Sequence, residues 1–160
     1  MRTRSQKRAL EAYTRVRNRA SKWPLENPNE QRPERKAYGS LAHRLPALIR
    51  TSGLASALVF IETRDGKEGH KAFVEDFKEA LAALAKEVGV SAPKNQNIPI
   101  PNQTAARLKS GASTGDVTQL VLELDLTSYQ LLTLEALALA MWFKRFAQSV
   151  LGVSPTEESQ

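Results

Sequence analysis

Apolar residues recur along most of this chain at steps of three and four rather than two. A helix advances about 100° per residue, so that spacing returns side chains to one face, whereas a strand would alternate them. In "RSQKRALEAYTRVRNRASKW", residues 4–23, Ala9, Ala12, Tyr13, Val16, Ala20 and Trp23 fall on one narrow stripe. Arg4, Lys7, Arg8, Arg15, Arg19 and Lys22 are read as projecting to the opposite side, with Glu11 the single acid among them. Such sorting predicts a folded helix with a basic face rather than a basic tail.

The same reading continues down the chain. "PLENPNEQRP", residues 24–33, has three prolines and is a connector in which helix cannot persist. A second helix is predicted from about Glu34 to Thr51, burying Tyr38, Leu41, Leu45, Leu48 and Ile49, bent by Pro46 and ended by Gly53. "LASALVFIE", 54–62, is short enough for a buried strand, but its alanines favour helix. After the turn "TRDGKEG", Phe73, Phe77, Leu81, Leu84 and Val88 mark a helix from about His70 to Val88, with Gly89 as its stop. Residues 89–116, rich in Pro, Gly, Asn and Ser, read as a mobile surface insertion. Helix resumes near Val117–Leu126, and a longer one spans about Ser128–Leu151, with Thr133 able to cap its main segment. The expected fold is all-α: a single compact bundle of about five to six helices with one long irregular loop, residues 1–153 forming the domain and 154–160 a tail.

Composition narrows the chemistry. The 160 residues are 41% hydrophobic and 25% charged, which suits one domain with a real core. There is no cysteine, so disulfides, thiolate metal sites and Cys nucleophiles are excluded. The most apolar run, "LLTLEALALAMWF" from 131 to 143, is interrupted by Thr133 and Glu135 and is too short to span a bilayer. A soluble, cytoplasmic protein with no membrane partner is expected. Charge is uneven: the first 50 residues hold 13 Lys and Arg against 4 Asp and Glu, the remaining 110 hold 10 against 13. A surplus gathered in one third of the chain points to a polyanionic partner rather than to general solubility.

Catalytic signatures are missing. His43 and His70, the only histidines, lie on different elements without metal-ligand spacing, and neither G-x-S-x-G nor a phosphate loop with its lysine occurs. Glu75, Asp76 and Glu79, flanked by Lys71 and Lys78, read as solvent-side ion pairs of little consequence. No cofactor or metal is implied, and the chain reads as no enzyme. "LAMWFKRFAQ", 139–148, interleaves Trp142, Phe143 and Phe146 with Lys144 and Arg145. Aromatics beside cations can stack bases and hold phosphates, while the simpler reading makes the rings core and leaves only the cations outside.

Three stretches together resemble the Cmr small subunit family of type III-B CRISPR effector complexes. They are Arg8, Ala9, Ala12, Tyr13 and Val16 in the basic helix, "LPALIRTSGLASALVF" from Leu45 to Phe60, and "LLTLEALALAMWFKRFA" from Leu131 to Ala147. The resemblance implies a non-catalytic helical subunit in an antiviral ribonucleoprotein. Copies would stack along a filament, beside the backbone subunits, and contact CRISPR RNA and target RNA through their backbones. In isolation such a subunit is expected to be a monomer or to self-associate weakly. It implicates Arg8, Arg15, Arg19, Arg50, Lys144 and Arg145, and with Arg4 and Lys22 of the basic face these form the candidate RNA-binding set. The 89–116 insertion departs from the family's shorter pattern. Two other classes stay open: a helical scaffold for protein partners without RNA contact, and a cryptic nuclease, which requires a cleft with a converging acid and base. Because the cations are read as surface groups, reversing Arg8, Arg15 and Arg19 to Glu is expected to leave folding intact.

Overall fold

The computed structural model describes residues 1–64, 66–90 and 115–155. These form α1 (Arg4–Lys22), α2 (Pro33–Ser52), α3 (Leu54–Glu62), α4 (Glu68–Glu87), α5 (Gly115–Glu123) and α6 (Leu126–Ser149), with no strand among the described residues. The all-α expectation holds. Most of the expected 89–116 insertion, residues 91–114, and residues 156–160 of the expected tail lie outside the described residues.

Local signals explain several helix ends. Thr3 caps α1 through a reciprocal pair: its hydroxyl accepts from the Gln6 amide at 3.2 Å, and the Gln6 side chain accepts from the Thr3 amide at 2.8 Å. Pro33 opens α2, where its missing N–H leaves no intrahelical bond unmade. Gly53 ends it at φ +83° and ψ 165°, a backbone region open essentially to glycine alone, while its N–H still reaches Ile49 O. Gly89 closes α4 at φ +73°, and the next amide, Val90, bonds back to Ala85 O at 3.0 Å. α2 runs on through the buried Pro46.

Three boundaries differ from the sequence reading, one of them the end of α5, which stops at Glu123 rather than Leu126. α6 starts at Leu126 behind Asp125, and Thr133 lies inside it, its hydroxyl donating to Tyr129 O at 2.7 Å. A threonine that bonds back one turn can sit mid-helix, so no cap is needed there. α4 starts at Glu68, so Gly69 belongs to the helix and not to the turn before it.

α2 occupies the centre, packed against α3, α4 and α6; α1 lies along α4 and α6, and α5 closes over α3 and α4. The core is aromatic at its middle: Tyr38, Phe73, Phe77 and Phe143 are fully buried and meet largely edge to face, with centroids 5.2–6.0 Å apart. Polar groups fasten its rim. Arg35 donates to Trp23 O at 2.8 Å and Ala20 O at 3.1 Å, tying the end of α1 to α2, and burial lowers its pKa. His43 Nε2 lies 2.8 Å from Val153 O, which can only accept, so that nitrogen carries the proton and anchors the buried residues after α6. Buried Lys78 pairs with Glu62, which also accepts from Thr118 at 2.6 Å, joining α3, α4 and α5.

Candidate nucleic-acid interface

α1 has two flanks with different fates. On an ideal helix Arg8 is four residues from Ala12 and Arg19 seven, which places them only about 40° and about 20° from the buried face. They border the core instead of opposing it. Arg8 forms a two-pronged bond with Glu135 of α6, Nε to Oε2 at 2.7 Å and Nη2 to Oε1 at 2.6 Å, with the Glu135 side chain only 3% exposed. Arg19 forks onto Asp76 of α4 at 3.1 and 2.9 Å and reaches Glu75 at 3.0 Å. The Tyr38 hydroxyl donates to the same Asp76 at 2.8 Å. These bonds hold the Arg8 and Arg19 guanidinium pKa values above their ordinary range. Burial, reinforced by Asp76, raises that of Tyr38. Arg15 pairs with Glu11 at 2.5 Å and lies 3.9 Å from Glu79, and Lys7 is 3.4 Å from Glu87.

This corrects two expectations. The cations at 7, 8, 15 and 19 do not face away from the core; they line the seams of α1 with α4 and α6, opposite carboxylates. Of the α4 acids, Glu75 and Glu79 do face solvent, 54% and 59% exposed, but their partners are Arg19 and Arg15 and not the neighbouring lysines. Asp76 is buried and belongs to Arg19 and Tyr38, while Lys78 is buried and belongs to Glu62. In the sequence Glu135 stands out only as a break in an apolar run. A lone acid on the apolar face of a helix is itself the signal, since a buried charge requires a partner.

The other flank carries Tyr13 and Arg17, and it meets the last two turns of α6. Tyr13 packs edge-on against Phe146, with centroids 5.3 Å apart, and Phe146 stacks on Trp142 at 5.5 Å with planes 20° apart. Arg145 lies over the Trp142 ring at 5.0 Å. At the far end Arg17 lies 5.9 Å from the Tyr13 centroid and donates to its hydroxyl at 3.0 Å. All three rings are half-buried and both arginines exposed. The simpler reading of 139–148 thus holds for Phe143, which is fully buried, and only in part for Trp142 and Phe146, which pack against the core but keep half-exposed rings.

Arg50, exposed at the end of α2, reaches Met141 Sδ at 3.9 Å, one turn before Arg145. Lys144 is half-buried, and Lys22 and Arg4 are exposed, Arg4 at 3.8 Å from Glu135. The cations of the first and last helices therefore do share a surface, but through Arg17 and Arg145. Arg17 is absent from the set that the sequence suggested; its i, i+4 spacing from Tyr13 was the available sign.

Elsewhere, a cleft of about 390 Å³ is lined by Arg19, Glu62, Glu68, Lys71 and Glu75, with both charge signs along its walls. No group of three or more His, Cys, Asp or Glu able to hold a metal occurs among the described residues. No helix among them is long and apolar enough to cross a membrane.

His70, in the first turn of α4, is half-buried; burial first, then the positive charges of Lys67, Arg64 and Arg44, lower its pKa from the usual 6.5. The unfolded chain then binds this proton more readily than the folded one, so stability falls as pH drops below about 6.5 and levels off below the folded pKa. Thermal melts between about pH 7.5 and about pH 5.5 should show a declining Tm, and His70→Gln should flatten that decline.

Comparison with known proteins places this geometry. The family described as CRISPR-associated protein (Cas_Cmr5) matches residues 4–150. A curated relative from Thermus thermophilus, "CRISPR system Cmr subunit Cmr5", is 35% identical over 151 residues, covering 94% of this chain and 98% of its own. The crystal structure of a CRISPR-associated Cmr5 family protein from Thermus thermophilus superposes with a TM-score of 0.63 at 32% identity, over 94% of this chain and 98% of that one.

Proposed function

We propose, because the chain belongs to the CRISPR-associated Cmr5 family, that it is the non-catalytic small subunit of a type III-B CRISPR ribonucleoprotein. It stacks beside other copies and the backbone subunits of the complex, and it holds guide and target RNA through their phosphates. The subunit role rests on the family and on the name of the Thermus relative. Protein contact is supported by large exposed leucines, Leu122, Leu126 and Leu134, each more than 60% exposed. Isolated protein is expected to remain monomeric or weakly associated.

RNA contact is carried by one observation: the basic groups around the end of α6 have no carboxylate partners among the described residues. Of the candidate set, Arg50, Lys144, Arg145 and Lys22, joined by Arg17, are left to meet phosphate, whereas Arg4 lies 3.8 Å from Glu135 and Arg8, Arg15 and Arg19 already face carboxylates. Such groups track an RNA backbone without reading its sequence.

The test is target-RNA binding by the assembled complex at several salt concentrations, with Arg50→Gln and Lys144→Gln introduced together. The log-log salt slope should fall by roughly 0.7 for each single-strand phosphate that is no longer held. Normal assembly with unchanged affinity and slope would instead favour a protein scaffold without RNA contact.

A further inference from the structure

We infer that the Tyr13–Phe146–Trp142 ladder, capped by Arg17 and Arg145, is a stacking site for the bases of single-stranded RNA. This rests on the RNA-binding reading above and extends it from phosphates to bases. Three aromatic rings from two helices gather at one surface, unlike Phe73, Phe77 and Phe143, which are fully buried. Trp142 and Phe146 lie nearly parallel, so they present one flat stack rather than the edge-to-face contacts that dominate the core. An aromatic stack at a surface accepts any base, because every base has a π-face.

The two ends of the ladder favour nucleic acid over an apolar protein segment. Each is closed by an exposed guanidinium, Arg17 at Tyr13 and Arg145 at Trp142, and no described carboxylate pairs with either. A guanidinium lying on a ring occupies the place where a base would continue the stack. A base arriving on Trp142 would take that place, and the released Arg145 would remain next to the incoming strand to meet its phosphate. A site for phosphates alone would have no use for half-exposed rings between its cations.

The experiment titrates the full-length protein with a short oligouridylate and with an abasic ribose-phosphate strand of equal length and charge, following tryptophan fluorescence. The chain has two tryptophans, and Trp23 is only 4% exposed, so quenching by a ligand reports on Trp142. Oligouridylate should quench and bind about 5- to 150-fold more tightly than the abasic strand, the range expected for stacking one base. With binding to the variants read instead by the anisotropy of end-labelled strands, since both lack the reporting tryptophan, Trp142→Leu should abolish the preference for bases, and Trp142→Phe, which keeps a ring in the stack, should retain it. Circular dichroism identifies any variant that fails to fold, and for Trp142→Leu the comparison of the two strands on wild-type protein then decides alone. Absence of quenching, or equal binding of both strands, overturns the inference. So does a folded Trp142→Leu protein that cannot enter the complex, which would make the ladder a protein contact. The RNA reading itself is judged separately, by the salt slope of the Arg50 and Lys144 variant: a reduced slope with no preference for bases would leave that reading standing and this one refuted.

Discussion

Replacing Arg8 and Arg19 together by glutamate should leave the protein without a cooperative thermal transition. Each substitution removes the partner of a buried carboxylate and sets a second negative charge against it. Glu135 and Asp76 have side chains only 3% and 7% exposed, so water cannot take over the missing bonds. Breaking a buried pair from one side costs about 3–5 kcal/mol. The two sites are eleven residues apart on α1, about 16 Å along its axis, so their effects should add. The sum is comparable to the whole stability of a domain, about 5–15 kcal/mol. Circular dichroism melts read the result directly; a double variant with a wild-type Tm would mean that neither pair holds α1 in place.

The expectation that such a reversal spares folding is therefore replaced. It followed from treating α1's charges as surface groups, and it fails for those that border the core. Arg17→Glu is the matching control, since the exposed Arg17 side chain bonds, among the described residues, to Tyr13 alone; it should shift stability by no more than about 0.5 kcal/mol. Any weakening of RNA binding in the Arg8 and Arg19 variant would then report unfolding, not the removal of a phosphate-binding group.

Gly69→Ala should be strongly destabilising, because the added methyl would meet the backbone of α2. Alanine improves helix propensity by about 1 kcal/mol over glycine, which alone would stabilise α4. But a Cβ at position 69 would overlap the backbone oxygen of Glu34 and come within 2.9 Å of Ala37 Cβ and the Tyr38 amide nitrogen. These are mostly backbone atoms of α2, which no side-chain rotation can clear. Forcing α2 and α4 apart strains the contact behind Tyr38 and Phe73, and overpacking of this kind costs about 1–3 kcal/mol or more. A net destabilisation of about 2 kcal/mol should lower Tm by roughly 4–8 °C for a domain of this size. Gly66→Ala, whose Cβ would meet nothing within 4 Å, should leave Tm close to wild type; equal melts for the two variants would refute the close approach.

Much of the fold was legible because its signals are local. Gly53 and Gly89 sit at positive φ and stop their helices, Pro33 opens α2, and the three- and four-residue spacing marks α1, α2 and α4. Family resemblance was legible for a related reason: it rests on the order of such stretches along the chain. Sequence and structure part where a residue's role depends on more than its nearest neighbours. Thr133 reads as a cap because a polar residue interrupts an apolar run, and Gly69 as a turn residue because it follows "DGKE".

Periodicity and net charge are properties of the chain, so amphipathic helices with an excess of cations near the N-terminus can be read from the residues alone. Which cations remain available was decided only by tertiary structure. The flank of α1 carrying Arg8, Arg15 and Arg19 met the carboxylates of α4, α6 and α1 itself, while the flank carrying Tyr13 and Arg17 met aromatic rings. The physical reason is that a charge is neutralised by neighbours within a few ångströms, and those neighbours, Asp76 and Glu135, lie 57 and 127 residues away from their arginines along the chain.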